Sequence, residues 1–230
     1  MKIQNFKMVM DILLTVALLL LMPYELVGEA AHEWIGIGMF VILIMHHALN
    51  RKWIGHMGKG NYTPVRMLQT MLVCLLAISI LGSMISGILL SRHVFVFLNI
   101  RRISIFAERI HMVCAYWGFV LMSLHLGIHW QRITAGGKQL LKSNGGKPRY
   151  TQIWLLRLLS VAVAFYGLYA FEKRNFADYL FLQVHFVFFD YTDPLLFYMM
   201  DYAAVMGMLI FLGYYLNKGL CSIYQKVHAG

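Results

Sequence analysis

Charge is the first thing this chain has little of. Of its 230 residues only 13% are charged and 60% are hydrophobic, whereas soluble domains are about a quarter charged. That excludes an ordinary water-soluble globular domain. Acidic residues are the scarcer sign, 10 against 20 Lys and Arg. The resulting net charge of +10 is no argument for nucleic-acid binding, because in a membrane chain the placement of charge matters more than its sum. Cysteine is limited to Cys74, Cys114 and Cys221, with no C-x-x-C or C-x-x-C-H spacing. This excludes a disulfide framework, a thiolate zinc site and covalently attached c-type haem. The glycine pairs 136–137 and 145–146 lack the following Lys-Ser/Thr and the preceding strand of a phosphate loop, so nucleotide binding there is excluded too. No solenoid-type repeat and no low-complexity segment is visible.

What is there is a series of long apolar runs, at about 8–27, 32–49, 67–90, 110–130, 152–171 and 195–216. The fold class they predict is all-α: an integral membrane bundle of about six transmembrane helices in a lipid bilayer, forming one domain over 1–230. The first run follows Lys2 and Lys7, as in a signal peptide. Pro23-Tyr24-Glu25 stands where a small-x-small cleavage site belongs, so it reads as a retained helix. The connectors 50–66 and 131–151 and the C-terminal tail hold eleven Lys and Arg and no acid. The opposite connectors carry Glu25, Glu29, Glu33, Glu108, Glu172, Asp178, Asp190 and Asp193, beside Arg92, Arg101, Arg102, Arg109, Lys173 and Arg174. The Lys/Arg bias places both termini in the cytoplasm. Trp34 and Trp53, about 28 Å apart at helical rise, read as interfacial anchors of the second span. The basic segment Thr134–Arg149 reads as a flexible hairpin. Phe181, Val184 and Phe188 predict an interfacial helix over about 176–191, with His185 on it.

Ten histidines in such a chain call for explanation, because ionisable groups at membrane depth are costly and usually functional. His32 and His46 are fourteen residues apart on the second span, and His111 and His125 are fourteen apart on the fourth. Fourteen residues turn about 1400°, some 40° short of four turns, so each pair shares a helix face at a separation of about 21 Å. Both spans run from outside to inside, which sets His32 level with His111 and His46 level with His125. Two facing imidazoles at each level are what six-coordinate porphyrin iron requires, inside a four-helix haem-binding core. The expected cofactors are therefore two haem b. His47 adjoins His46, and His129 lies one turn beyond His125, so His47 with His129 stays open as the inner pair. Histidines not used as ligands are candidates to bond a propionate, handle a proton or line a quinone pocket. Gly36 and Gly118 fall on the histidine faces, where a porphyrin edge would approach the backbone. His56, His93 and His228 lie in connectors and read as solvated.

Arg109, two residues before His111, is the candidate partner for an outer propionate. Arg157 reads as snorkelling to inner headgroups. Asp11 and Asp201 lie within spans. For Asp11, stabilisation of a helix N-terminus and a proton or quinol role both stand. The sixteen methionines read as packing residues.

The runs His32-Glu33-Trp34-Ile35-Gly36, His46-His47-Ala48-Leu49-Asn50-Arg51-Lys52-Trp53, Trp117-Gly118 and Ser123-Leu124-His125-Leu126-Gly127-Ile128-His129-Trp130 resemble a bacterial membrane family, the flavinylation-associated cytochromes. The resemblance runs from Asp11 to about Tyr215. It implies a b-type haem protein of the bacterial cytoplasmic membrane that passes electrons to an extracytosolic flavin-bearing protein. The arrangement is also similar to the four-helix haem core of respiratory cytochrome b, with a membrane quinone as the other implied partner.

The expected function is thus electron transfer across the membrane, with no nicotinamide or flavin domain within the chain to oxidise NADH directly. Two other readings stand beside it. A membrane di-iron oxygenase or desaturase would use His46-His47 and His125-x-x-x-His129, and leaves His32 and His111 unexplained. A transition-metal transporter calls for ligands near mid-bilayer. The sequence does not decide between monomer and oligomer.

Overall fold

A computed structural model describes residues 2–98, 105–140, 150–184, 187, 189 and 192–228, and every regular element among them is helical. Five of the described helices are long and apolar enough to cross a bilayer: α3 (Glu29–Leu49), α5 (Pro64–Leu90), α6 (Ile105–Leu140, over its first 27 residues), α7 (Tyr150–Lys173) and α9 (Leu195–His228). Ahead of them runs α1 (Lys2–Leu21), 20 residues long. The first helix was expected to continue to residue 27. It stops before Pro23, whose ring cannot continue the i to i−4 bonding, and the one-turn α2 (Tyr24–Val27) begins beyond it. Gly28 separates α2 from α3 at φ 96°, a left-handed conformation that glycine adopts without a Cβ clash. At the other face, Pro64 opens α5, and the Thr63 hydroxyl accepts the Arg66 N–H at 3.3 Å. The short α4 (Arg51–Gly55) follows α3.

The tight core is built on α6. It packs on α5 on one side and α9 on the other, and α9 packs on α7. Small residues allow these crossings. A Cβ on Gly127 would strike the Ile210 carbonyl and stand 3.0 Å from the Gly213 Cα, so α6 and α9 touch backbone to backbone. A Cβ on Gly167 would likewise strike the Ala204 carbonyl where α7 crosses α9. The core between them is closed by Phe119, Val205 and Tyr202, all almost fully buried. In contrast, α3 has no buried residue and packs mainly on α1. Lys7 of α1 fixes that pairing, its Nζ donating to the Leu49 carbonyl and to the Asn50 Oδ1, both at 2.9 Å. This α1–α3 pair stands across a cavity from α5 and α6.

Two expected segments take other forms. The interfacial helix over 176–191 is only α8 (Phe176–Leu180), because Leu182 turns to φ 52° and breaks it. Phe176, Tyr179 and Leu180, at helical spacing, face inward. The Phe176 ring meets Tyr116, Phe119, Phe171 and Tyr202 at centroid separations between 4.9 and 5.7 Å, so α8 plugs the bundle rather than lying on a lipid surface. Phe181, 64% exposed, and Gln183 face outward from this stretch. Of the basic hairpin, 134–140 belong to α6, continuing its helix past the apolar part. Residues 141–149, Arg101, Arg102, His185 and Phe188 lie outside the described residues.

A buried ion network locks the C-terminal end of α7 to α9. Asp201, 1% exposed, accepts from Tyr166 Oη at 2.6 Å, Lys173 Nζ at 2.9 Å, and Arg174 Nε and Nη2 at 2.8 and 2.7 Å. Arg174 also bonds Asp193 at 2.9 Å and lies over the Tyr198 ring. Burial opposes the charge on Arg174, yet the bonds from Asp201 and Asp193 prevail and raise its pKa. Both carboxylate oxygens of Asp201 are thus engaged within the protein.

Candidate functional site: two levels of histidine

The outer level comes together as the spacing predicts. His32, in the first turns of α3, and His111, near the start of α6, meet across the cavity with ring centroids 6.0 Å apart and planes at 66°. Two imidazoles bound trans to one metal at about 2.0–2.1 Å each have their nitrogens about 4 Å apart and their ring centres roughly 6 Å apart. The observed centroid separation is close to that spacing. The Ser83 carbonyl of α5 takes the His111 Nδ1–H at 3.0 Å, and the Ser86 Oγ lies 3.2 Å from the same nitrogen. That tautomer leaves Nε2 with its lone pair as a ligand, the usual second-sphere arrangement of a metal-binding histidine. Gly87 makes room for the ring, since a Cβ there would stand 3.3 Å from the His111 Cε1. His32 packs edge-on against Tyr24. The Leu21 backbone carbonyl makes a loose hydrogen bond to the ring, while Nδ1 is buried without a partner of ordinary hydrogen-bond geometry. A buried polar nitrogen left so is costly unless a ligand completes the site.

The cavity around this pair has a volume of about 470 Å³ and is walled by α1, α3, α5 and α6, within the range of cofactor sites. Gly36 lines it as expected. Gly118 does not: it is buried, and its added Cβ would meet Ser79 of α5 at 3.8 Å. The α6 face that carries His111 also packs on α5, and two turns beyond His111, at Gly118, that face is already covered. Arg109 is likewise placed elsewhere. Glu108, His111, Met112, Ala115 and Tyr116 are the α6 residues that wall the cavity, whereas Arg109 is exposed beyond them. The guanidinium at the rim belongs to Arg92, which pairs with Glu29 at 3.4 Å.

Glu33, a residue the sequence reading used only for topology, secures this rim. Its carboxylate accepts the backbone N–H groups of Arg92, His93 and Val94 and the Ser91 hydroxyl, at 2.6 to 3.3 Å. One side chain beside His32 thereby pins the whole turn after α5. Its adjacency to His32 was the only signal in the sequence.

At the inner level the rings pair along each helix. His46 meets His47 at 5.7 Å and His125 meets His129 at 4.7 Å. His129, His46, Asp11 and His47 nevertheless all act electrostatically on His125, so the four histidines and one carboxylate share one neighbourhood. Of the two adjacent histidines on α3, His46 acts on His125 more strongly than His47 does. The His46 Nδ1 lies 2.9 Å from the Asp11 Oδ1 on α1, and the His47 Nδ1 donates to its own Leu43 carbonyl at 3.0 Å. His56 and His93 are exposed, with His56 Nδ1 on the Lys52 carbonyl and His93 3.7 Å from Glu29. Trp34 on α3 and Trp53 on α4 are exposed, and Arg157 lies over Trp154.

Among the described residues, no three His, Cys, Asp or Glu converge to hold a metal ion. At the level of His32 and His111 the arrangement offers two facing imidazoles, and at the other level four histidines and Asp11 in one neighbourhood. Compared with known proteins, the chain matches no family model, no curated protein and no solved structure.

Proposed function

We propose that this chain is a di-haem b-type cytochrome that carries electrons across the bacterial cytoplasmic membrane. In this reading α1 joins the five apolar helices as a sixth span, both termini face the cytoplasm, and the four helices around the histidines form the haem-binding core. His32 and His111 hold the outer group, His46 and His125 the inner one, with His47 and His129 as the competing inner ligands. The observation that carries the reading is the meeting of His32 and His111 at 6.0 Å in a walled cavity, with one ring anchored through Nδ1 by α5 and the other holding a buried nitrogen without a partner of ordinary hydrogen-bond geometry.

Each bound haem supplies the one-electron redox change. The protein's part is to orient the rings and to exclude water. Ser83 selects the His111 tautomer, Gly87 clears space for its ring, and Glu33 with Arg92 closes the rim. The inner and outer imidazoles of α3 are fourteen residues apart, about 21 Å along the axis, which sets the length of the relay. The electron partners of this reading are a membrane quinone on one side and an extracytosolic flavin-bearing protein on the other.

The test is an optical spectrum of the purified protein with a pyridine haemochrome assay. Two haem b per chain, reducible by dithionite, is the expected result. A colourless protein with stoichiometric non-haem iron or zinc overturns the proposal.

A further inference from the structure

The function proposed above uses His46 as a ligand but leaves its partner on α1 without a role. Asp11 is a carboxylate in a helix that is otherwise nearly all apolar from Met8 to Leu21, and charge at membrane depth is retained only when paired or functional. Lys7 and Asp11 are one turn apart on the same face of α1, and both reach the last turn of α3. Lys7 bonds the Leu49 carbonyl and Asn50, while Asp11 goes to the imidazole itself. The Lys7 bonds alone suffice to hold the two helices in register. The Asp11 bond does something the Lys7 bonds do not: it takes the Nδ1–H of His46. The proton is thereby fixed on Nδ1, and the Nε2 is left as the nitrogen with a lone pair. Asn50 Nδ2 gives one hydrogen to the His46 carbonyl at 2.9 Å and turns its second towards that Nε2 at 3.4 Å, a long contact that a ligand on Nε2 would displace.

We infer that Asp11 is the positioning residue of the inner haem ligand, selecting His46 over His47 and making its imidazole the more electron-rich of the two. The inference rests on the two-haem reading. Carboxylate, imidazole and metal in line form the second-sphere triad that orients a ligand and raises its basicity. His47 has only its own helix carbonyl on Nδ1, a weaker, neutral acceptor. The other groups facing this site are imidazoles, His47, His125 and His129, so Asp11 is the one anion among the groups that act on His125. A negative charge hydrogen-bonded to a ligand favours the ferric over the ferrous state. Asp11 therefore holds the inner haem at the lower potential it would not have with a neutral partner.

The experiment is a redox titration of the purified protein in lipid nanodiscs, wild type against Asp11→Asn, Asp11→Ala and Lys7→Ala. Asp11→Asn, which keeps shape and loses charge, is expected to raise one of the two potentials and leave the other, with both haems bound. Asp11→Ala is expected to weaken retention of that same haem by about 10- to 100-fold, while the unaffected haem reports that the fold is intact. Lys7→Ala cuts the other α1–α3 connection and is expected to leave both potentials in place. Unchanged potentials in Asp11→Asn, or the same shift in Lys7→Ala, overturn the inference while leaving the two-haem reading standing. A wild-type protein without haem overturns both.

Discussion

Replacing Asp201 by Asn puts a number on the buried ion network. The carboxylate is 1% exposed, its Oδ2 accepts from Lys173 and twice from Arg174, and its Oδ1 accepts from Tyr166. An amide keeps the shape, but it removes the charge and offers one acceptor oxygen where there were two. If the oxygen stays on the cations, the new NH2 confronts the Tyr166 hydroxyl, which must reverse its bond. Removing one member of a buried ion pair costs about 3–5 kcal/mol. Two features place this case at the lower end. Lys173 is 36% exposed and regains water, and Arg174 retains Asp193 at 2.9 Å. With about 3 kcal/mol lost and a shift of roughly 2–4 °C per kcal/mol for a chain of this size, the melting temperature should fall by roughly 6–12 °C. Tryptophan fluorescence during heating of the detergent-solubilised protein reads it directly. Asp193→Asn is the internal comparison, because that carboxylate is 32% exposed and pairs with only one cation among the contacts described. A larger drop in Asp193→Asn than in Asp201→Asn, or an Asp201→Asn shift below about 2 °C, would show that the buried carboxylate is not what holds α7 to α9.

Changing His32 or His111 to Leu should each remove the same single haem and spare the other, as counted by pyridine haemochrome, while His125→Leu removes the other one. Loss of both from any one change, with the protein still folded, contradicts the two-level arrangement. Gly127→Val should force α6 and α9 apart, since even its Cβ strikes the Ile210 carbonyl. Overpacking of this kind costs about 1–3 kcal/mol, and a wild-type melting temperature would refute the close crossing. Glu33→Ala should leave three backbone N–H groups of the 92–94 turn without their acceptor, so amide hydrogen exchange there should accelerate while α5 exchange stays unchanged.

The parts of this molecule that periodicity governs were legible in the sequence, and the parts made by long-range meetings of single side chains were not. Apolar runs marked the spans to within a few residues at most ends, because a bilayer leaves a spanning segment little choice but helix. The fourteen-residue offset placed His32 opposite His111 because rigid helices of the same direction preserve level. Gly118 shows where that reasoning stops: a helix face is shared, but which neighbour covers each part of it depends on how α5 leans on α6. Arg109 stands about 100° around the helix from Glu108, outside the cavity wall. The Glu33 nest, the Asp11–His46 bond and the Asp201 network join residues between 27 and 61 positions apart, with no spacing rule to announce them. The turn at Leu182 overrode a good amphipathic pattern, since the pull of Phe176 into the core outweighed the regularity of the segment after it.

The glycine crossing of α6 and α9 has a consequence for any traffic of electrons through this bundle. Tunnelling probability decays steeply with distance, so a relay is only as reproducible as the strut that spaces its stations. Side chains between two rods act as bearings that let one slide past the other. Where Gly127 meets Gly213 there are none, and backbone rests on backbone. The rod that carries His111 and His125 is thereby clamped at a point just beyond the second of them, which fixes the height of both imidazoles against the core formed with α9.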